Sequence, residues 1–162
     1  MHKLLYTALI LLCLCLPAIS TADQSAPNDQ RALAGITTGK AVFDISTSTT
    51  ESMQLYLKVI KKTVHDLKNQ GVTPDFVLAF RGAAVSMVSK DSEFNNDKDA
   101  AAITTLIREL KQENVYFEAC NIAAGMFEVD KDNLFDGIVL VGNTFVSLLG
   151  YQTQGYAIIP LI

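Results

Sequence analysis

Three places in the chain put reactive or polar side chains directly behind an apolar run. Arg81-Gly82 follows DFVLAF, Cys120-Asn121 follows VYFEA, and Gly142-Asn143-Thr144 follows GIVLV. A cysteine in such a position has a chemical use. Its thiolate is the nucleophile, and its pKa falls beside a guanidinium or a helix N-terminus. Asn121-Ile122-Ala123-Ala124-Gly125 can start a helical turn whose N–H groups point at the sulfur. Arg81 can supply the positive charge. Free cysteine also packs as a small hydrophobe, so the residue type alone leaves a chemical role and a packing role both open. Asn143 and Thr144 suit a helix cap as well as they suit a ligand.

Other chemistries find less support. His65 sits among charged residues of an amphipathic stretch, and a His-based metal site needs more than one histidine. Asp130, Asp132 and Asp136 are spaced loosely like calcium ligands, but the loop lacks the central glycine and terminal glutamate of an EF-hand. The hydroxyl-rich Ser46–Ser52 has no accompanying His/Asp pattern for a triad. There is no glycine-rich loop of the dinucleotide or P-loop kind. Neither a metal nor a cofactor is therefore expected.

The elements that must position Arg81, Cys120 and Thr144 follow from periodicity. KAVFDIS is a strand, and STSTTES supplies N-cap residues. MQLYLKVIKKTVHDLKNQG is a helix, with Leu55, Val59, Ile60, Val64 and Leu67 at helical spacing and Gly71 closing it. DFVLAF is the second strand, and RGAAVSMVSK is a turn entering a short helix. DSEFNNDKDA reads as a loop. Ala101–Asn114 is the second amphipathic helix, Val115–Cys120 the third strand, and NIAAGMFEVDKDNLFDG a connection with a helical turn. GIVLVGN carries the fourth strand, TFVSLLGYQTQG a short helix ending at Gly155, and YAIIPLI the last strand. Pro160 suits an edge there. This alternation, with nearly continuous apolar strands, predicts a single doubly wound α/β domain with a mainly parallel sheet of about five strands. Ligands of such folds sit off the carboxyl ends of the strands, so the three polar stretches meet at one rim if their strands are neighbours.

The 162 residues are 49% hydrophobic and 19% charged, enough for one domain with its own core. The formal net charge is -4 and Lys/Arg residues do not cluster, which argues against nucleic acid and anionic membrane as partners. Residues 1–22 read as a signal peptide: MHK, an apolar run broken by Pro17, then Ser20 and Ala22 as the small residues before cleavage. An uncleaved anchor competes with this reading, although the run is short for a bilayer span. Cys13 and Cys15 leave with the leader, so Cys120 is the one cysteine of the mature chain and no disulfide forms within a subunit. Residues 23–39 are a polar linker or arm, and the domain spans 40–162. The expected location is the periplasm.

Four stretches carry a resemblance: KAVFDIS, VLAFRGAAV, LIRELKQENVYFEACNIA and LLGYQTQGYAIIP. Through them the chain resembles the DsrE/DsrF-like family of small exported or cytoplasmic proteins associated with sulfur oxidation, over roughly Lys40 to Ile162. The resemblance implies a parallel α/β fold and homo-oligomers, often trimers or hexamers. In sulfur-relay members a cysteine after the third core strand carries sulfur as a persulfide, and Cys120 occupies that position. Related chains tend to have His-Gly-Pro-Ala after the second strand, where this one has Arg81-Gly82-Ala83-Ala84. They tend to have Cys-Gly where this one has Cys120-Asn121. Arg81 keeps a positive group but cannot act as a base near neutral pH. The expectation is a sulfur carrier with Cys120 as the persulfide-bearing thiol, exchanging sulfane sulfur with a donor and an acceptor. Arg81, Gly82, Asn121, Asn143 and Thr144 bind the ligand. The alternative is a non-enzymatic homo-oligomer that binds a small anion or a partner while Cys120 only packs.

Overall fold

The computed structural model describes residues 28–91 and 96–162. The expected leader and most of the linker lie outside the described residues. The chain divides into two units, 1–32 and 33–162. Of the first, residues 28–32 are described, and there the Gln30 N–H donates to the Asn28 side chain at 3.3 Å.

The second unit is a five-stranded sheet. Its strands are β1 (Thr38–Ile45), β2 (Thr73–Phe80), β3 (Tyr116–Cys120), β4 (Ile138–Val141) and β5 (Ala157–Leu161). All four pairings are parallel and the spatial order is β4-β3-β2-β1-β5. The helices are α1 (Thr50–Asn69), α2 (Asp97–Gln112), α3 (Asn121–Met126) and α4 (Thr144–Thr153). A 3-10 helix occupies Gly82–Val88.

Strand order decides which helix covers which face. From β1 to β4 the chain steps in one direction, and α1, α2 and α3 pack on one side with Phe43, Ile45, Leu78, Phe80 and Phe117. The step from β4 to β5 runs back across the sheet. A connection of the same right hand then lands on the opposite face. There α4 puts Leu148 against Val42, Val77 and Ala79. Alternation along each strand does the sorting, since successive side chains point to opposite faces. β5 is an edge strand, and Pro160 sits near its end as expected.

Three local expectations change. The buried stripe of α1 is Met53, Leu57, Ile60 and Val64, whereas Leu55 and Val59 are exposed at 58% and 54%. Both sets have helical spacing, and tertiary contact selects one. Leu57→Ala should cost about 2–5 kcal/mol in urea unfolding, and Leu55→Gln or Val59→Gln less than about 0.5 kcal/mol. Secondly, α2 begins at Asp97, four residues before Ala101. Asn96 caps it, accepting from the Asp99 N–H at 2.9 Å and donating to the Asp99 carboxylate at 2.8 Å. Asp97 and Asp99 lie in the first turn, where a carboxylate suits the helix dipole. Polar composition there marks a helix start, not a loop. β1 likewise begins at Thr38, two residues before Lys40. Gly71 closes α1 as expected: at φ 77° it follows Gln70, its N–H donates to the Lys68 carbonyl at 3.1 Å and the Val72 N–H donates to the Leu67 carbonyl at 2.9 Å.

Candidate functional site

β2, β3 and β4 are neighbours, so their carboxyl ends share one rim. β3 runs into α3, whose Ala123 and Ala124 join the α1/α2 side of the core. β4 runs into α4 on the other side. The connections from two adjacent strands thus leave to opposite faces. Doubly wound folds hold ligands where connections part in this way. Cys120 ends β3 at this point, paired in register with Val141 of β4.

Cys120 is 5% exposed and is the residue that precedes α3. Burial pushes its thiol up. The nearby backbone amides of Thr144, Ala123 and Ile122 and the Thr144 hydroxyl favour the thiolate and together outweigh burial, so the thiol ionises below the ordinary range. The starts of α3 and α4 therefore converge on one sulfur. Thr144, at 1% exposed, is the link between them. Asn143 instead caps α4, its side chain accepting from the Phe145 N–H at 2.9 Å. Asn121 is the first residue of α3 and is half-buried, with no side-chain hydrogen bond among the described residues.

Arg81 extends the β2 ladder, its N–H donating to the Ile45 carbonyl at 2.9 Å. Its side chain lies on the α4 side. Nε and Nη2 donate to the two carboxylate oxygens of Asp44 at 2.6 and 3.0 Å. The guanidinium carbon stands 5.5 Å from the centre of the Phe145 ring. The Asp44 hydrogen bond raises the Arg81 pKa, burial opposes it, and the charges of Asp44 and Cys120 raise it further. Arg81 is thus a permanent cation whose field reaches the sulfur. Gly82 turns the chain at φ 57°, a left-handed conformation that glycine adopts without penalty. Arg81, Cys120 and Thr144 are brought together. Asn143 and Gly82 shape the backbone around them.

Asp44 escapes a reading by strand ends because it sits inside an apolar strand, one residue before its close. A signal was present: a carboxylate within KAVFDIS survives burial only when paired. Glu118 in YFEAC is the same case. It is 5% exposed and Oε1 accepts from the Tyr151 hydroxyl at 2.6 Å, while buried Oε2 has no partner among the described residues. Burial first, then the bond to Glu118 and its charge, push the Tyr151 pKa far above the ordinary phenol range. Tyr151→Phe strips Glu118 of this donor. It should cost about 2 kcal/mol in denaturant unfolding, as for a hydrogen bond to a charged group. A loss near zero would show that Glu118 is satisfied another way.

The comparisons with known proteins agree with this architecture. A protein of unknown function, MTH1491, from Methanobacterium thermoautotrophicum superposes with a TM-score of 0.62 at 21% identity, covering 75% of this chain and 98% of that one. The ychN protein from E. coli gives 0.54 at 15% identity, with 75% and 98% covered. At these identities the likeness is one of fold. An uncharacterized protein of Aquifex aeolicus (strain VF5) is 27% identical over 125 residues, 75% of this chain. The match spans 55% of that relative, so this chain corresponds to about half of its length. The model of the DsrE/DsrF-like family matches residues 24–161, which takes in every strand and helix among the described residues and the Arg81–Cys120–Thr144 rim. With the parallel sheet in its observed order and the match running almost end to end, the chain belongs to the DsrE/DsrF-like family.

Proposed function

We propose that the protein is a sulfur carrier in which Cys120 holds sulfane sulfur as a persulfide. The observation that carries this reading is the place of Cys120, directly before α3 and in register with Val141 at the end of β4, where the starts of α3 and α4 draw its thiol below the ordinary range. A cysteine that only packs needs no such place. In the transfer step the Cys120 thiolate attacks the terminal sulfur of a donor R–S–SH. A new S–S bond forms at Cys120, the donor's S–S bond breaks, and its electron pair leaves as R–S⁻. The transferred sulfur keeps its proton or loses it to water, and sulfur oxidation levels are conserved overall. A thiolate acceptor removes the sulfur by the reverse attack. Arg81 and the amides that stabilise the thiolate also stabilise the persulfide anion.

Intact-protein mass spectrometry after exposure to inorganic polysulfide tests this. The expected result is the added mass of sulfur atoms on the wild type, removed by a reductant, and none on Cys120→Ser. An unmodified wild type whose thiol reacts only after denaturation would overturn it. Export belongs to the same proposal. A chain recovered from cells with residues through Ala22 removed supports it, and one that retains Met1 counts against it.

A second reading, the homo-oligomeric binding protein, is favoured by a different observation. Helix α4 is apolar on both sides. Leu148 faces the sheet, while Phe145, Val146 and Leu149 are 64%, 66% and 66% exposed. Apolar residues exposed on the outer side of a helix call for a cover. Leu149→Lys should lower the mass measured by sedimentation if copies of the chain meet there. An unchanged mass would remove this reading's support.

A further inference from the structure

We propose that a cavity of about 230 Å³ beside α2 is a binding site for a small organic anion with an oxyanion head and a short apolar body. Its walls are Thr104, Ile107, Arg108 and Lys111 from one face of α2, with Lys90 and Phe135 opposite. Ile107 and Phe135 are buried and form an apolar floor. Three cations rim it in a chain whose net charge is -4.

The charge arrangement on α2 is segregated. Glu109 turns to Lys61 of α1 at 3.0 Å, and Glu113 pairs with Lys68. The carboxylates in this half of α2 are thereby drawn to the α1 side. Arg108 and Lys111 are left on the cavity side without a carboxylate partner among the described residues. Asp136, the one acid at the rim, is 95% exposed at its side chain and lies 3.4 Å from Lys90. Among the described residues the cavity therefore holds more positive than negative side chains.

Lys111 reaches the rim at Gly137. Gly137 adopts φ 97°, and a Cβ there would stand 2.7 Å from Lys111 Nζ, 2.9 Å from Cδ and 3.0 Å from Cε. The positive φ favours glycine here, and the flexible end of Lys111 lies against its backbone. Lysine at a helix C-terminus is favourable on dipole grounds alone, but that role needs no cavity. Arg108 offers a planar fork that matches a carboxylate, Lys111 a point charge and Thr104 a hydroxyl. The floor takes the ligand's apolar part, as small-molecule sites commonly do.

This site is separate from the sulfur chemistry. Gly137 precedes Ile138, which pairs with Phe117, whereas Cys120 pairs with Val141 at the other end of the same two strands. Its success or failure is independent of the persulfide reading.

The test is an amide NMR titration of the full chain with sodium benzoate, benzyl alcohol and inorganic phosphate. Benzoate should give saturable shifts at Gly137, Phe135 and Arg108. Benzyl alcohol and phosphate should each bind at least about tenfold more weakly, as expected when one kind of contact is missing. The exposed substitutions Arg108→Gln and Lys111→Met should each weaken benzoate by about tenfold while lowering the thermal midpoint by no more than about 4 °C. Either alone suffices if the other fails to fold. No saturable shift at Gly137 would overturn the proposal. Equal binding of benzyl alcohol would overturn the anionic head, and equal binding of phosphate the apolar body.

Discussion

Thr144→Val should raise the pH at which Cys120 becomes reactive by about one pH unit, because one hydrogen bond to the thiolate is worth roughly 1.5 kcal/mol and one unit corresponds to about 1.4 kcal/mol. The substitution keeps the backbone amide of Thr144 and removes only the hydroxyl that reaches the sulfur. The measurement is the rate of alkylation by iodoacetamide against pH. In the wild type the midpoint should lie below that of an ordinary thiol, and at neutral pH the variant should react several-fold more slowly. Coincident profiles would mean that the hydroxyl does not act on the thiolate. The same shift has a stability consequence with a definite sign. Cys120 has a lowered pKa in the folded chain, so its thiolate stabilises the fold most above the pKa of the unfolded thiol. That contribution is lost as pH falls through the folded value. Between the two values the unfolded chain holds the extra proton, and stability rises with pH. Cys120→Ser should flatten the urea-unfolding curve across that window.

Arg81→Leu should destabilise the fold by about 3 kcal/mol, since it leaves the Asp44 carboxylate buried and unpaired. Asp44 is only 9% exposed, and both of its oxygens are taken by the Arg81 fork. For a domain of this size that corresponds to a fall of roughly 10 °C in the thermal midpoint. The double variant Arg81→Leu/Asp44→Leu should recover most of the loss, because replacing both members of a buried pair by apolar groups is often close to neutral. The double variant must also lose the positive field at Cys120, so its alkylation midpoint should rise although its stability returns. Stability and thiol reactivity then separate, which distinguishes a charge that acts on the sulfur from one that only holds two strands together. A double variant as unstable as the single would assign the cost to packing against Phe145 instead of to the ion pair.

Several parts of the site were legible in the chain. Val115–Cys120 ends its strand at a cysteine, and DFVLAF ends at Arg81, because near-continuous apolar runs stop where the backbone leaves the core. Asn143 reads as a cap and caps α4. Thr144 offered the same two readings and took a different one, since its hydroxyl reaches Cys120. Local sequence could not distinguish these two neighbours. One places its side chain on the helix's own amides, and the other places it on a strand whose position depends on the sheet order. Asp44 and Glu118 were visible only as charges inside apolar strands. Their partners, Arg81 and Tyr151, stand 37 and 33 residues away in the chain.

By itself the sequence determined the kinds of elements and their succession, because periodicity, capping residues and prolines act through neighbours a few positions apart. It determined that one cysteine stands at the close of the third strand. Only the tertiary structure decided that β4 lies beside β3, with their connections leaving on opposite faces. Only the tertiary structure chose Met53 and Leu57 over Leu55 and Val59 as the buried stripe of α1. Only there do Thr144, Arg81 and Cys120 share one rim, because strand pairing and the hand of the crossovers are long-range choices that no short stretch of the chain contains.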